Sequence, residues 1–218
     1  MPLNLKDQKG GGNRVPQENI EVGAYPARVV RVLDLGLQPG QEYQGQQKPS
    51  ANKVDFTYEL LDCFMKDKDG KFDEGKPRWI SEDFPLHRPD ADLAKSTKRS
   101  KAIDPTNSVD YDLTKMLGMP CMVTVGHRVS KGKTYDRVLD VAPMRASVAA
   151  TAPTLKNEPI LFTLDDPNLE VFNKLPPFIQ DRIKGNLEFK GSKLEALLGG
   201  KQSEPAQNEP VDEEEIEW

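Results

Sequence analysis

Alternation of apolar and polar residues over positions 53–63 constrains the fold more than any other feature of this sequence. Positions 54, 56, 58 and 60 are apolar or aromatic, whereas positions 55, 57 and 59 are polar. Because successive side chains of a strand point to opposite faces, this pattern predicts a strand with one buried face. Four further strand patterns are found at 24–35, 77–84, 119–125 and 134–141.

A short helix is predicted at 110–118, where an Asp begins the segment, three apolar residues share one side and a Gly ends it. The basic segment 90–101 is compatible with either a helix or a loop. Three strands, a helix and two strands is the order of an OB-fold, a Greek-key barrel that commonly holds oligonucleotides. We therefore predict a mainly β protein: a five-stranded OB-fold barrel, with a helix between strands 3 and 4 and a small helical C-terminal appendage.

Composition divides the chain into five parts. Residues 1–22 are polar and include three consecutive glycines, and residues 147–158 are rich in Ala and Thr. These features predict a flexible N-terminal segment and a linker on either side of an OB domain at 23–146. Residues 159–199 carry three short helical patterns and predict the appendage, and residues 200–218 predict a disordered acidic tail.

The net charge of −5 is distributed unequally. Residues 201–218 carry one Lys and seven acids, whereas residues 23–146 carry 20 Lys and Arg against 18 Asp and Glu. The main body is therefore slightly basic, and overall acidity does not exclude a nucleic-acid partner. A local basic patch decides that question.

Catalytic and metal-binding patterns are lacking. The chain has two histidines, no Cys/His cluster with zinc spacing and no Gly-x-Ser-x-Gly elbow. Segment 126–134 resembles a phosphate-binding P-loop but has five residues between its glycines, and a strand pattern follows it, so we predict a β-hairpin. We expect no enzymatic activity, no cofactor and no metal.

The two thiols, Cys63 and Cys121, lie in apolar patterns and are expected to be reduced core residues. No apolar run approaches the roughly 20 residues of a membrane span, and the N-terminus has no apolar signal-peptide core. We therefore expect no membrane association.

Aromatic and cationic residues accompany one another in the strand patterns. Single-stranded nucleic acid binds by stacking bases on aromatic rings while cations follow the phosphates. Trp79 and Tyr135 are the strongest stacking candidates because each neighbours cations near a turn, whereas Tyr58 is compatible with either a core or a binding role. The predicted DNA-binding residues are Arg28, Arg31, Lys53, Tyr58, Lys76, Arg78, Trp79, Arg128, Lys131, Lys133, Tyr135 and Arg137.

Four segments, at 23–30, 78–81, 111–125 and 132–135, resemble bacteriophage single-stranded DNA-binding proteins of the OB-fold type. The most specific part is Leu117-Gly-Met-Pro-Cys121, and the resemblance covers about residues 20–146. It implies binding and protection of single-stranded DNA during phage replication, recombination or repair, in the cytoplasm of an infected bacterium. It leaves a homo-oligomer possible.

The acidic tail is similar to those with which bacterial and phage single-strand binders recruit replication and recombination proteins. Bacterial tails typically end in Pro-Phe, whereas this chain ends in Glu-Trp. The resemblance implies that the tail binds partner proteins, and its acidic charge predicts that it competes with DNA for a basic groove. The tail residues concerned are Asp212, Glu213, Glu214, Glu215, Ile216, Glu217 and Trp218.

Two other functions remain open from the sequence. An OB-like barrel can bind protein instead of DNA, which would make this chain a non-enzymatic adapter with the tail as a second docking peptide. That alternative requires Trp79 and Tyr135 to be core residues. The ligand can also be single-stranded RNA, since no residue visibly recognises a 2′-hydroxyl.

Overall fold

The five strands predicted from alternation all form, and they join one sheet. The computed structural model describes residues 15–40, 42–43 and 45–199. The strands are β1 Gly23–Gln38, β2 Glu42–Tyr43, β3 Gln46–Gln47, β4 Ala51–Lys66, β5 Phe72–Pro85, β6 Pro120–Ser130, β7 Lys133–Pro143 and β8 Ile160–Phe162. The helices are α1 Lys95–Ile103, a 3₁₀ helix Leu113–Met116, α2 Ala146–Ala149, α3 Leu169–Lys174, α4 Pro177–Lys184 and α5 Lys193–Leu197.

The main sheet has six strands. Five are antiparallel, in the order β5-β4-β1-β6-β7, and the short β8 pairs with β1 in parallel. Strands β2 and β3, of two residues each, pair antiparallel as a separate two-stranded sheet. The sheet is open, because β5 and β7 are its edges and no hydrogen-bonded ladder joins them within the described residues. The mainly β class is thus confirmed, whereas a closed five-stranded barrel is not.

One end of the gap between the edges is spanned by the chain segment before β1. The Gln17 side chain exchanges two hydrogen bonds with the Lys66 backbone at the end of β4, of 2.9 and 2.8 Å. Asn19 Nδ2 donates to Asp136 Oδ1 of β7 at 2.9 Å, and Ile20 is buried in the core at 2 % exposure. Of the predicted flexible segment 1–22, residues 17–20 are therefore attached to both β4 and β7. Residues 1–14 lie outside the described residues.

Helix α1 spans the gap at the other end. Its Arg99 side chain is almost fully buried and donates to Glu82 of β5 at 2.8 Å and to Asp140 of β7 at 2.9 Å. Glu82 also accepts from the Tyr58 hydroxyl at 2.9 Å. One guanidinium therefore connects both sheet edges. Of the basic segment 90–101, for which helix and loop were both left open, residues 95–101 belong to this helix, which continues to Ile103. The helix predicted at 110–118 is shorter, a 3₁₀ turn over Leu113–Met116.

Two apolar clusters lie on opposite sides of β1. The first lies on the inner face of the sheet and contains Val32, Phe56 and Tyr58. The second joins Leu33 and Leu35 of β1 to the C-terminal helices, with the members Leu33, Leu35, Phe162, Phe172, Leu175, Ile179, Ile183 and Leu194. Val32 and Leu33 are adjacent in β1, so alternation places them on opposite faces and lets the strand contribute to both clusters. The C-terminal segment therefore packs on the outer face of the sheet, and its cluster includes side chains of β1.

Candidate nucleic-acid interface

Strands β6 and β7 form a hairpin with a two-residue turn. Its central residues, Lys131 and Gly132, have φ angles of +49° and +73°. Positive φ at both positions is the signature of a type I′ turn, whose twist suits two-residue hairpins. The predicted hairpin over 126–134 is confirmed, and no helix follows its glycines to form a P-loop.

One face of this hairpin, which we call the front face, carries Arg128, Lys133, Tyr135 and Arg137. Arg128 pairs directly with Tyr135 across the strands, and alternation places Lys133 and Arg137 on either side of Tyr135. The Tyr135 side chain is 47 % exposed. An exposed aromatic ring with cations on three sides has the composition of a base-stacking site.

The cations of the hairpin have no partners in the described part of the chain. Arg128, Lys131, Lys133 and Arg137 are all exposed, and none forms an ion pair or a side-chain hydrogen bond there. Four unpaired positive charges within ten residues give this arm a positive field that no neighbouring carboxylate neutralises by contact. Such a field attracts a polyanion.

The back face of the hairpin is anchored instead. Asp136 accepts hydrogen bonds from Asn19 Nδ2 at 2.9 Å, from the Ile20 backbone at 3.1 Å and from Arg78 at 3.4 Å. The His127 ring contacts the Ile20 carbonyl at 2.7 Å. The hairpin is thus fixed from behind while its front face stays open. Sequence analysis missed Asp136 because its partners lie more than 50 residues away along the chain.

Three predicted DNA-binding cations lie on the outer face of β1 and β4 and already have partners. Arg28 donates to the carbonyls of Gly118 and Pro153, both at 2.7 Å. Arg31 is 8 % exposed and forms an ion pair with Asp55 at 3.1 Å. Lys53 lies 3.9 Å from Asp83. These side chains hold the C-terminal segment and the strands together.

Trp79 lies on the same outer face and is half-buried. Its indole Nε1 donates to Glu59 at 3.1 Å, and Glu59 also accepts from the backbone of Lys156 at 2.7 Å and from Asn157 Nδ2 at 2.6 Å. The segment around Asn157 therefore crosses the face next to Trp79. The ring is not a freely accessible stacking platform.

Tyr58, Arg78 and Lys76 differ among themselves. Tyr58 is fully buried and its hydroxyl binds Glu82, and this burial raises its pKa well above the ordinary value. The ring offers no face to a base, so its prediction as a binding residue is wrong. Arg78 is tied to Asp136 and to the Glu18 carbonyl, whereas Lys76 is exposed and pairs with Asp73 at 2.7 Å.

One large cleft in the described part of the chain does not suit a polyanion. A cleft of about 510 Å³ between β1 and the C-terminal segment is lined by Asp34, Asp112, Asp165 and Glu188 and by no Lys or Arg. No group of three or more His, Cys, Asp or Glu in the described ranges is arranged to hold a metal ion. The positive hairpin is thus a better candidate for a nucleic-acid interface than this acidic cleft.

Both thiols are free, and burial raises the pKa of Cys121 to about 12. Among the helices the structure describes, none is long and apolar enough to cross a membrane. The predicted tail, from Asp212 to Trp218, lies outside the described residues. Comparison of the sequence with models of protein families and with curated proteins found no match.

Proposed function

We propose that this protein binds single-stranded DNA without sequence preference, through the front face of the β6–β7 hairpin. The observation that carries the proposal is Tyr135, half-exposed among four cations that have no partner in the described residues. Stacking on a ring and attraction to phosphates are both tolerant of sequence. We further propose that the protein has no enzymatic activity and acts in phage DNA replication, recombination or repair in the host cytoplasm.

A barrel of the OB type fits this function. We propose that the sheet is an OB-type barrel, which is a partly open Greek-key barrel, with its opening between β5 and β7. In its favour, β1 lies between β4 and β6, a helix follows the third long strand, and both ends of the gap are bridged. The loop between the last two strands of such a barrel commonly contacts oligonucleotides, and here that loop is the hairpin turn.

The adapter alternative is weakened by Tyr135. It requires the two best aromatic candidates to be core residues, and the Tyr135 side chain is 47 % exposed. Trp79 alone fits that requirement in part, since it is half-buried against Glu59. The structure's exposed ring therefore favours a nucleic-acid ligand.

Fluorescence anisotropy with labelled oligo-dT, oligo-rU and a duplex of equal length tests the proposal. Four phosphate contacts predict a slope near −3 for log K against log salt, since each contact to a single strand contributes about −0.7. We expect oligo-dT to bind more tightly than the duplex. Equal affinity for the duplex and oligo-dT, or no binding of any probe, would contradict the proposal. Tighter binding of oligo-rU than of oligo-dT would indicate an RNA ligand instead.

The acidic tail is proposed to compete with DNA for the hairpin and to recruit partner proteins. Removal of residues 210–218 removes five acids and is expected to tighten oligo-dT binding, most at low salt. A matched variant that keeps the length but replaces the five acids with Gln or Asn separates charge from chain length. Unchanged or weaker binding of both variants would reject the competition.

A further inference from the structure

The front face of the hairpin continues beyond Arg137 to Leu139, a residue that is 51 % exposed. Val125 pairs with Val138 and Thr124 pairs with Asp140, so Leu139 is an extra residue at a β-bulge. Bulges locally reorient a side chain and are common next to functional sites. Here the bulge determines where the leucine lies.

Gly126 provides the space into which Leu139 turns. A Cβ atom at Gly126 would lie 2.4 Å from Leu139 Cδ1 and 2.8 Å from its Cγ. Gly126 pairs with Arg137, so that missing Cβ would point to the front face. The Leu139 side chain therefore lies flat across β6 on the same face as Tyr135.

The front face is thus a stripe along β7 in which cations and apolar groups alternate. Its members in order are Lys133, Tyr135, Arg137 and Leu139. At about 3.3 Å per residue, Tyr135 and Leu139 are roughly 13 Å apart, with a cation between them. This order places an apolar contact for a base on either side of a contact for phosphate.

We propose that Leu139 is a second base-contacting residue of the hairpin, which packs against the base of the bound strand and adds a small preference for the thymine methyl to binding that is otherwise tolerant of sequence. The inference rests on the proposed binding of single-stranded DNA. A flat, half-exposed leucine loses contact with water when a base covers it, and apolar side chains contact the thymine methyl in DNA complexes. Removal of the Leu139 side chain from water is then the source of affinity at this end of the stripe.

Paired titrations with oligo-dT and oligo-dU of equal length test this inference. The two differ by one methyl per base, and burial of one methyl corresponds to about fourfold in affinity. We expect the unsubstituted protein to favour oligo-dT by about that factor. We expect Leu139→Ala to weaken oligo-dT binding about fivefold and to abolish the preference.

Two further variants sharpen the test. Gly126→Ala keeps the leucine but fills its space, so it is expected to lower affinity and preference as Leu139→Ala does. Val129→Ala truncates an apolar side chain that is 72 % exposed on the back face of the same hairpin, and is expected to change neither. Thermal unfolding of each variant shows whether the hairpin still folds.

The possible failures are distinguishable. If Tyr135→Ala lowers binding while Leu139→Ala leaves both affinity and preference unchanged, the inference about Leu139 is overturned and the proposed function stands. An equal loss for oligo-dT and oligo-dU on Leu139→Ala overturns the methyl contact. Absence of binding by the unsubstituted protein overturns the proposed function as well.

Discussion

The front face of the β6–β7 hairpin and the outer face of β1, β4 and β5 carry the same kinds of residues and differ in what those residues contact. Both combine cations with an aromatic ring. On the outer face, Arg28, Arg31 and Trp79 bind carbonyls and carboxylates of the protein itself. On the hairpin, Arg128 and Arg137 have no partner in the described residues. The contacts of a cation, and not its residue type, decide whether it can bind a ligand.

The largest expected effect is on the stability of the outer face. Arg31→Met leaves Asp55 buried without its partner, which costs about 3–5 kcal/mol of unfolding free energy. Urea unfolding measures this loss. The double variant Arg31→Met/Asp55→Leu is expected to recover most of it, and the folded single variant is expected to bind oligo-dT normally. A loss of affinity without a loss of stability would show that Arg31 contacts the ligand.

The next effect is on binding by the hairpin. Replacement of Arg128, Lys131 and Lys133 by Ala removes three phosphate contacts, so affinity for oligo-dT at 0.1 M salt is expected to fall roughly 100-fold. The salt slope should fall by about 2. The matched control replaces Lys98, Lys174 and Lys190, which are exposed on other elements and change the net charge equally. Similar losses in both triple variants would mean that only net charge matters.

A smaller effect separates the two tyrosines. Tyr135→Ala is expected to weaken oligo-dT binding about tenfold, within the roughly 1–3 kcal/mol per stacked base, whereas Tyr135→Phe keeps the ring and the affinity. Tyr58→Phe removes a buried hydrogen bond to Glu82 and is expected to lower stability by about 1 kcal/mol without changing affinity. The assignment of base stacking to the exposed ring of Tyr135 fails if Tyr58→Phe weakens binding more than Tyr135→Phe.

The smallest effect has opposite signs for stability and binding. Lys131 adopts a left-handed backbone conformation, which Asn tolerates better than Lys. Lys131→Asn is expected to stabilise the fold by about 0.5 kcal/mol while it weakens oligo-dT binding about fivefold. Thermal unfolding and anisotropy on the same sample measure both changes. Lys131→Arg, which keeps the charge, serves as the control for binding.

Much of the fold could be predicted from the sequence, since alternation identified all five long strands. Their ends extend further than predicted, as in β4, which begins at Ala51 and ends at Lys66. The short β8 escaped because its three residues carry no period, and it forms only by pairing with β1. Local patterns report local structure, and they do not report a strand that depends on a partner 129 residues away.

The candidate site was predicted less completely. The hairpin cations were found because they cluster around a turn, where the chain itself brings them together. The partners of Arg28 and Arg31 were not foreseen, because Pro153 and Asp55, which bind them, are distant in sequence. Tyr58 was included among the binding residues although its alternation with Val54 and Phe56 already places it on the buried face of β4. Leu139 was overlooked because an isolated surface leucine is ordinary in a sequence. Only the structure shows that it packs into the space left by the missing side chain of Gly126.

The segment Gln17–Ile20 has a mechanical consequence. It is attached to the end of β4 through Lys66 and to β7 through Asp136. It therefore couples two strands that no sheet hydrogen bond joins in the described residues. Force applied to the hairpin, as by a bound DNA strand under tension, is therefore shared between β7 and β4 instead of bending the hairpin alone. A fragment that begins at Gly23 would contain every strand and still be the more compliant molecule.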